Sequence, residues 1–171
     1  MTGYIQVYTG EGKGKTTAAL GLTLRAAAAG LKVFFAQFIK GGDYSEITAL
    51  KRFSGLAAVE QFGTGKFILG VPSLEDRQAA QKGLHRIQSV FLSGEYDLVV
   101  LDEANVAVTC GLFPVEELLK LIQLKPENME LIITGRNADP RIIEKADLVT
   151  EMKAVKHYLS KGVSARIGIE R

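Results

Sequence analysis

The sequence predicts a three-layer α/β fold, in which a mostly parallel β-sheet is flanked by helices. β-prone apolar runs alternate with helix-prone runs along the chain, and this alternation is typical of parallel sheets covered on both faces. The run at residues 32–39 is almost continuously apolar, as expected of a strand buried on both faces. The chain has 171 residues, of which 47% are hydrophobic and 23% charged. We therefore expect a single domain over residues 1–171 that buries its own core.

The first half of the chain supplies three strands and three helices. Residues 4–8 are a short β-prone run that ends in a glycine cluster. The Ala- and Leu-rich residues 15–29 predict a helix, which Gly30 follows where a terminating glycine is favoured. After the strand at 32–39, the pattern predicts a short helix at 46–53 and a strand at 57–62. Ser73 to Asp76 resembles a capping box, which opens a long helix that ends near Leu92.

The second half continues the alternation. Residues 97–101 are a strand by composition and length, and a helix follows at 115–124, after Pro114. Residues 130–134 are the next strand. Asp139 and Pro140 are a favourable cap and first residue for another helix, and residues 148–152 form the last strand. The pattern leaves the order of the strands in the sheet open.

The strongest motif lies between the first strand and the first helix, where residues 9–17 read TGEGKGKTT. The N-terminus of a helix offers unpaired N–H groups and a positive dipole end to an anion. Glycines let successive N–H groups converge on phosphate oxygens. Lys15 adds a point charge, and the Thr16 hydroxyl can ligate a magnesium ion that bridges phosphates. Counted from Gly10, the loop is one residue shorter than the common phosphate-binding pattern.

A second motif supports the first. Residues 98–101 are an apolar strand that ends in the carboxylates of Asp102 and Glu103. In a parallel sheet this end lies at the same edge as the phosphate loop. Either carboxylate can hold the magnesium ion or its water shell. The two motifs together predict a nucleotide-binding protein.

Charge and apolar patterning argue against other classes of partner. The net charge of +2 is far from the basic excess of nucleic-acid binders. No apolar run approaches the ~20 residues of a membrane-spanning helix, and residues 1–8 lack the pattern of a signal peptide. Cys110 is the single cysteine, which fits a reducing compartment. We therefore expect a cytoplasmic protein without nucleic-acid or membrane partners.

Several separate segments carry a resemblance to one enzyme family. The loop at residues 10–17 resembles the G-N-G-K-G-K-T-T loop of the P-loop ATP:corrinoid adenosyltransferases, also called cob(I)alamin adenosyltransferases. The similarity continues in the family's order at residues 37–41, 101–103, 105–107, 134–137, 149–153, 155–157, 162, 165–166 and 168–170. The resemblance implies a P-loop (RecA-like) fold. It also implies transfer of the 5′-deoxyadenosyl group of ATP to the Co(I) of a corrinoid, with release of triphosphate.

The chemistry of this family asks little of the protein beyond positioning and electrostatics. Because Co(I) is itself the nucleophile, the protein has to orient the 5′-carbon, stabilise the leaving triphosphate and exclude water. ATP and a reduced corrinoid, either cobalamin or a precursor, are the implied substrates. Mg²⁺ is the implied cation, with Mn²⁺ as its substitute. The implied partners are a flavin-type electron donor and a second copy of the chain.

The resemblance also assigns roles to residues. Lys13 and Lys15 supply positive charge as the triphosphate leaves. Thr16 and Glu103 are the preferred metal ligands, with Asp102 in reserve. The residues expected to contact the nucleotide or corrinoid are Gly10, Glu11, Gly12, Lys13, Gly14, Lys15, Thr16, Thr17, Arg25 and Phe67.

Some of these positions have two interpretations or depart from the family pattern. Arg25 either reaches the nucleotide or is a solvated charge on the first helix. Phe67 either packs on the corrin face or is buried in the core. Glu11 stands where the family often has Asn, and the chain has no tryptophan for the corrinoid loop.

The remaining chemistry-bearing side chains are interpreted as structural. His157 is expected to be a hydrogen-bonded structural histidine and not a cobalt ligand. His85 is expected on a helix surface or in packing, and Cys110 is a small side chain without a role.

Two other functions share the same loop. A P-loop small-molecule kinase or ATPase would use Glu103 to orient a hydroxyl or water. A RecA-like nucleic-acid module would share the core alone, and the weak net charge disfavours it.

Overall fold

The computed structural model describes residues 2–42, 44–52, 55–66, 68 and 70–170. Within them six strands form one sheet in the order β3-β2-β4-β5-β1-β6, and every neighbouring pair is parallel. This confirms the predicted α/β fold with a parallel sheet. The strands are β1 (Ile5–Thr9), β2 (Val33–Phe38), β3 (Ala57–Phe62), β4 (Leu98–Asp102), β5 (Glu130–Thr134) and β6 (Leu148–Glu151).

Helices follow the strands, and their observed ends lie within two residues of the predicted ones where a helix was predicted. The described helices are α1 (Lys15–Ala28), α2 (Ser45–Lys51), α3 (Leu74–Ser93), α4 (Ala104–Thr109), α5 (Val115–Gln123), α6 (Pro140–Lys145) and a 3-10 helix (Tyr158–Lys161). Neither α4 nor the 3-10 helix was predicted from the sequence. Both are short, and no side chain caps the start of α4, so neither has a strong local signal.

The predicted capping box at the start of α3 is confirmed. The Asp76 backbone N–H donates to the Ser73 hydroxyl oxygen at 3.1 Å, and the Ser73 backbone N–H donates to the Asp76 carboxylate at 3.0 Å. Such reciprocal bonds satisfy N–H groups that the first turn leaves unpaired. The helix ends at Gly94, which has φ 62°, a left-handed conformation that glycine adopts without steric cost.

The core lies on both faces of the sheet, as β2 illustrates. All six residues of β2 are buried. Phe34 and Phe38 join the cluster beneath α3 and α5, while Val33 and Phe35 join the cluster beneath α1. Gln37 is the polar member of this strand and is fully buried. A buried amide is costly without partners, so this side chain requires hydrogen bonds inside the protein.

The parallel sheet brings the functional segments to one edge. The carboxyl ends of parallel strands meet at the same edge, where ligands bind in open α/β sheets. β1 ends at the phosphate loop, which we define as residues 10–17, and β4 ends at Asp102. Lys40, Arg136 and Met152 follow β2, β5 and β6 at the same edge. Among the described residues, the structure contains no helix long and apolar enough to cross a membrane.

Candidate functional site

A cleft of about 900 Å³ opens at this edge of the sheet. One wall is the phosphate loop and the start of α1. The segments after β2, β4 and β5 form the opposite wall, and the C-terminal segment, residues 153–170, covers one side. The predicted site residues that line it are Gly12, Lys13, Gly14, Lys15, Thr16, Thr17 and Glu103.

The glycines of the phosphate loop are required partly by the chain's own backbone. A Cβ on Gly10 would lie 2.5 Å from the Met152 carbonyl oxygen, and a Cβ on Gly12 would lie 2.7 Å from it. The Gly12 N–H donates to that oxygen at 2.6 Å. Gly14, with φ 120°, provides the turn into α1. The segment after β6 therefore fixes the shape of the loop, which the sequence analysis had explained by phosphate contact alone.

Lys15 is held inside the phosphate loop. Its ammonium donates to the carbonyl oxygens of Gly10 at 2.6 Å and Gly12 at 2.8 Å, and the residue is 8% exposed. Burial lowers the pKa of Lys15, while the nearby Glu103 carboxylate acts in the opposite direction. A partly desolvated cation at the floor of the cleft is a strong attractor for phosphate oxygens.

Asp102 is fully buried behind the loop and is saturated with donors. Its Oδ1 accepts from the Thr16 hydroxyl at 2.9 Å and from the Thr134 hydroxyl at 2.7 Å. Its Oδ2 accepts from Gln37 Nε2 at 3.0 Å, and Lys40 Nζ lies 3.7 Å away. Because Thr16 gives its hydroxyl hydrogen to Asp102, the oxygen lone pairs remain free to accept a cation.

Glu103 lies in front of Asp102 and lines the cleft. Its backbone has φ 60°, a left-handed conformation that is uncommon for a non-glycine residue and concentrates at functional sites. Burial raises the pKa of Glu103, and the charge of Asp102 raises it further. The positive charges of Lys40, Lys15 and Arg136 oppose both effects. The carboxylate is therefore poorly solvated and gains from any cation that reaches the cleft.

The oxygen groups at this point suit magnesium. The described part of the chain contains no group of three or more His, Cys, Asp or Glu side chains that could hold a metal ion. Mg²⁺ is usually held by one or two protein oxygens together with waters and substrate phosphates, not by a protein cage. Thr16 and Glu103 line one cleft, and Asp102 orients Thr16 from behind. These residues fit a cation carried in with a nucleotide.

Lys13 lies at the rim of the cleft, bound to the C-terminal segment. Its ammonium is 3.2 Å from Glu170 Oε1. Glu170 also accepts from the Arg166 guanidinium at 3.0 Å and from the Tyr158 hydroxyl. These donors hold the pKa of Glu170 well below its usual range, and Glu170 raises the pKa of Lys13. The segment is thereby tied to the phosphate loop by a carboxylate.

Glu11 pairs with Arg136 outside the wall of the cleft. The Arg136 Nε lies 3.4 Å from Glu11 Oε2, and both side chains are more than half exposed. Such surface pairs contribute about 0–1 kcal/mol. Arg136 lines the cleft whereas Glu11 does not. The negative charge that departs from the family pattern is therefore paired with an arginine and is not among the groups that line the cleft.

The structure does not bring Arg25 to the cleft. Arg25 is exposed in the last turn of α1, ten residues after Lys15, which is roughly 15 Å along the helix axis. Burial raises the pKa of the nearby Tyr8, and the charge of Arg25 opposes this effect. Arg25 is therefore not among the residues that line the cleft, and its surface-charge and nucleotide-contact interpretations remain predictions. Phe67 lies outside the described residues, so its two interpretations remain predictions.

His157 and Cys110 line the cleft, whereas His85 does not, and the structural interpretations of the three side chains remain predictions. His157 Nδ1 accepts from the Leu159 N–H at 3.1 Å and caps the 3-10 helix, although the residue also lines the cleft. His85 is exposed on α3. Cys110 is half-buried at the end of α4, and burial raises the pKa of its thiol, which disfavours the reactive thiolate.

Five further residues at the cleft or behind it were missed by the sequence analysis. Gln37 could have been found, because it is a polar residue inside an otherwise apolar strand. Lys40 and Arg136 follow the ends of strands and lie in segments 37–41 and 134–137 that resemble the family, but no role was assigned to them. Tyr158 and Glu170 lie far along the chain from the loop that they contact. The five residues are Gln37, Lys40, Arg136, Tyr158 and Glu170.

Comparisons with known proteins agree along the whole chain. The model of one protein family, described as ATP:corrinoid adenosyltransferase BtuR/CobO/CobP, matches residues 1–171. A corrinoid adenosyltransferase of Pseudomonas aeruginosa is 35% identical over 169 residues, which cover 98% of this chain and 83% of that protein. The corrinoid adenosyltransferase of Escherichia coli K12 is 37% identical over 169 residues, 98% of this chain and 85% of that protein. The similarity is thus not confined to the phosphate loop.

A solved structure supports the fold. A KaiC-like protein from the archaeon Pyrococcus horikoshii superposes with a TM-score of 0.60 at 20% identity. The match covers 88% of this chain and 73% of that chain. At this level of identity the likeness concerns the α/β architecture alone.

Proposed function

The chain belongs to the ATP:corrinoid adenosyltransferase family, and we propose that the cleft at the carboxyl edge of its sheet is where the transfer takes place. The enzyme moves the 5′-deoxyadenosyl group of ATP to the cobalt of a corrinoid, and triphosphate leaves. The electron pair of Co(I) forms the cobalt–carbon bond while the bond between the 5′-carbon and its oxygen breaks. Because the substrate supplies the nucleophile, the protein has to bind, orient and stabilise charge.

In this proposal the phosphate loop stabilises the leaving triphosphate. Gly14, Lys15, Thr16 and Thr17 line the cleft at the start of α1, so their N–H groups and the Lys15 ammonium would stabilise the negative charge that grows on the departing oxygen. One preorganised donor of this kind contributes about 10²–10³-fold to the rate. Lys13 and Arg136 add positive charge at the rim. The partial desolvation of Lys15 supports its role, because charge interactions strengthen where water is excluded.

The proposed cation ligands are the Thr16 hydroxyl and the Glu103 carboxylate, with Asp102 holding Thr16 in place. A bound Mg²⁺ would neutralise charge on the phosphates and fix their orientation. Two observations support this assignment over direct ligation by Asp102. Both lone-pair regions of Asp102 are occupied by donors, whereas Thr16 and Glu103 line the cleft. Mn²⁺ has similar oxygen preferences and would substitute.

The observation that carries the proposal is the arrangement of Lys15, Thr16 and Glu103 around one cleft, with the buried Asp102 behind them. The test is incubation with ATP, Mg²⁺ and chemically reduced cobalamin while the corrin spectrum is followed. We expect the spectrum of an alkylated Co(III) corrinoid together with inorganic triphosphate. Formation of ADP and phosphate with an unchanged corrin spectrum would instead favour a kinase or ATPase, an alternative that the family membership disfavours.

Phe67 is proposed to exclude water from the cobalt. It follows the glycine-rich residues 63–65, and an apolar ring there would keep the axial position free of a ligand, which makes reduction to Co(I) easier. Phe67→Ala should lose activity with Co(II) corrinoid and a mild reductant, and lose much less when Co(I) is generated in advance. Equal losses in both assays, or a large fall in thermal stability, would favour a core position for Phe67. Leu69→Ala should have the smaller effect and is the matched control.

Three further proposals concern partners and location. A homodimer and a flavin-type electron donor are supported by the family resemblance, and sedimentation equilibrium and reduction by a flavin-containing donor would test them. A cytoplasmic location is supported by the free thiol of Cys110, since reducing compartments keep thiols unpaired.

A further inference from the structure

A line of polar side chains crosses three strands and ends at Asp102. Gln61 Nε2 donates to Gln37 Oε1 at 2.9 Å, and Gln37 Nε2 donates to Asp102 Oδ2 at 3.0 Å. The sheet register sets Gln37 opposite Gln61 of β3 on one side and opposite Asp102 of β4 on the other. The three side chains therefore lie level with one another across the sheet.

Each amide in this line has a defined orientation. Because Gln61 donates to the oxygen of Gln37, the amide nitrogen of Gln37 is turned toward Asp102. The Gln61 oxygen in turn accepts from the Gly42 N–H at 3.3 Å. Flipping either amide would set two acceptors or two donors against each other, which is unfavourable for groups shielded from water. The direction of the hydrogen bonds is thus fixed from the loop after β2 to the carboxylate.

The starting point of the line lies where two loops are closely packed. The loops after β2 and β3 pack backbone against backbone. A Cβ on Gly41 would lie 2.5 Å from the Gly63 oxygen, and a Cβ on Gly65 would lie 2.7 Å from the Gly41 oxygen. Side chains of larger residues do not fit between the two loops. Gln61, which is half-buried, is therefore anchored where the loops meet.

The end point of the line is the group that orients Thr16. Asp102 accepts the Thr16 hydroxyl hydrogen with Oδ1 and is steered by Gln37 at Oδ2. Rotation of the carboxylate would move both oxygens together and turn the Thr16 lone pairs away from the cleft. Lys40 is too far from Oδ2, at 3.7 Å, to fix this rotation by a hydrogen bond.

We propose that Gln37 and Gln61 are positioning residues that fix the rotation of the Asp102 carboxylate and, through it, the Thr16 hydroxyl that receives the nucleotide-bound cation. The proposal rests on the proposed function of Thr16. Groups that orient a metal ligand typically change metal affinity or activity about 10–100-fold when removed. Neither glutamine is among the residues that line the cleft, which suits a positioning role and not direct ligation.

The test compares ATP binding with and without the cation. Titration calorimetry measures the dissociation constant of ATP in Mg²⁺ and in EDTA for the wild type and for Gln37→Met, which keeps length but not the amide. We expect Gln37→Met to weaken binding in Mg²⁺ about tenfold and to leave binding in EDTA within about twofold. In Gln37→Met, the factor by which the Mg²⁺ concentration for half-maximal transfer rises should exceed the factor by which the maximal rate falls.

Two more variants separate positioning from packing. Gln61→Met should give a smaller loss of the same kind, and the double variant should be no worse than Gln37→Met alone, since both act through one line of hydrogen bonds. Gln81→Met is the matched control, because Gln81 donates to Glu117 at 2.7 Å between α3 and α5, away from the cleft. We expect its Mg²⁺ dependence to equal that of the wild type.

The outcomes distinguish this inference from the function on which it rests. The positioning role would be overturned if Mg²⁺ tightened ATP binding by the same factor in Gln37→Met as in the wild type. It would also be overturned if Gln37→Met weakened ATP binding equally in Mg²⁺ and in EDTA. Neither result would contradict the transfer reaction. Additive effects of the two variants would also overturn the positioning role. A wild type whose ATP binding does not respond to Mg²⁺ would overturn both the cation site and this inference. If Gln37→Met does not fold, Gln61→Met, at the half-buried position, decides by the same comparison.

Discussion

Replacing Thr16 by alanine removes the hydroxyl that joins the phosphate loop to the end of β4. This hydroxyl donates to the buried Asp102 at 2.9 Å, and a hydrogen bond to a charged group contributes about 1.5–3 kcal/mol. Asp102 keeps its bonds to Thr134 and Gln37, so we expect the lower end, a loss of about 1.5 kcal/mol in the free energy of unfolding. The change also deletes a proposed cation ligand, so the Mg²⁺ concentration for half-maximal transfer should rise at least about tenfold.

Thr16→Ser is the matched control for this prediction, because it keeps the hydroxyl and loses a methyl group. Urea unfolding measures the stability, and Mg²⁺ titration at saturating ATP measures the cation requirement. We expect Thr16→Ser to stay within about twofold of the wild type in its Mg²⁺ requirement, since the hydroxyl ligand is retained. A Thr16→Ala titration that overlays the wild type, or a serine variant as impaired as the alanine variant, would refute the assignment of the hydroxyl as ligand.

Three other variants test neighbouring parts of the site. Lys15→Ala should fold and lose about 10²–10³-fold in single-turnover transfer, and near-normal turnover of the folded variant would contradict the phosphate-loop assignment. Glu103→Gln should raise the Mg²⁺ requirement yet raise the melting temperature, because burial disfavours the carboxylate; a lower melting temperature would show that the desolvation argument is wrong. Glu170→Gln should melt at a lower temperature than the wild type at pH 7. Folding lowers the pKa of Glu170, so its contribution to stability is fully present above about pH 4.3. That contribution is lost as the pH falls through the folded-state pKa. A difference in melting temperature between Glu170→Gln and the wild type that grows in acid would therefore contradict the pairing.

Local patterns in the sequence were enough to predict most elements of the fold. The apolar run of β2, the capping box of α3 and the Asp139–Pro140 start of α6 depend on neighbouring residues, and all three are confirmed. α4 starts after Glu103, which has a left-handed backbone conformation. A glutamate in the sequence does not predict that conformation. The 3-10 helix is capped by His157, a residue with no strong preference for that position. Short elements held by tertiary contacts leave little trace in composition.

The parts of the candidate site that lie close together in the sequence were predictable. The parts that depend on the order of strands in the sheet were not. The glycines, Lys15 and Thr16 form a continuous motif, so their shared location followed from the sequence. The line from Gln61 to Asp102 depends on β2 lying between β3 and β4, an order that a single sequence does not give. The contact between Lys13 and Glu170 joins opposite ends of the chain.

The central claim is that this cleft transfers the adenosyl group and not a phosphoryl group. The most direct measurement is a single turnover with ATP, Mg²⁺ and a limiting amount of corrinoid held as Co(I), in which the alkylated corrinoid and the phosphate products are quantified together. We expect inorganic triphosphate equal in amount to the alkylated corrinoid, with both products formed about 10²–10³-fold more slowly in Lys15→Ala. ADP as the main product, or alkylated corrinoid without triphosphate, would contradict it.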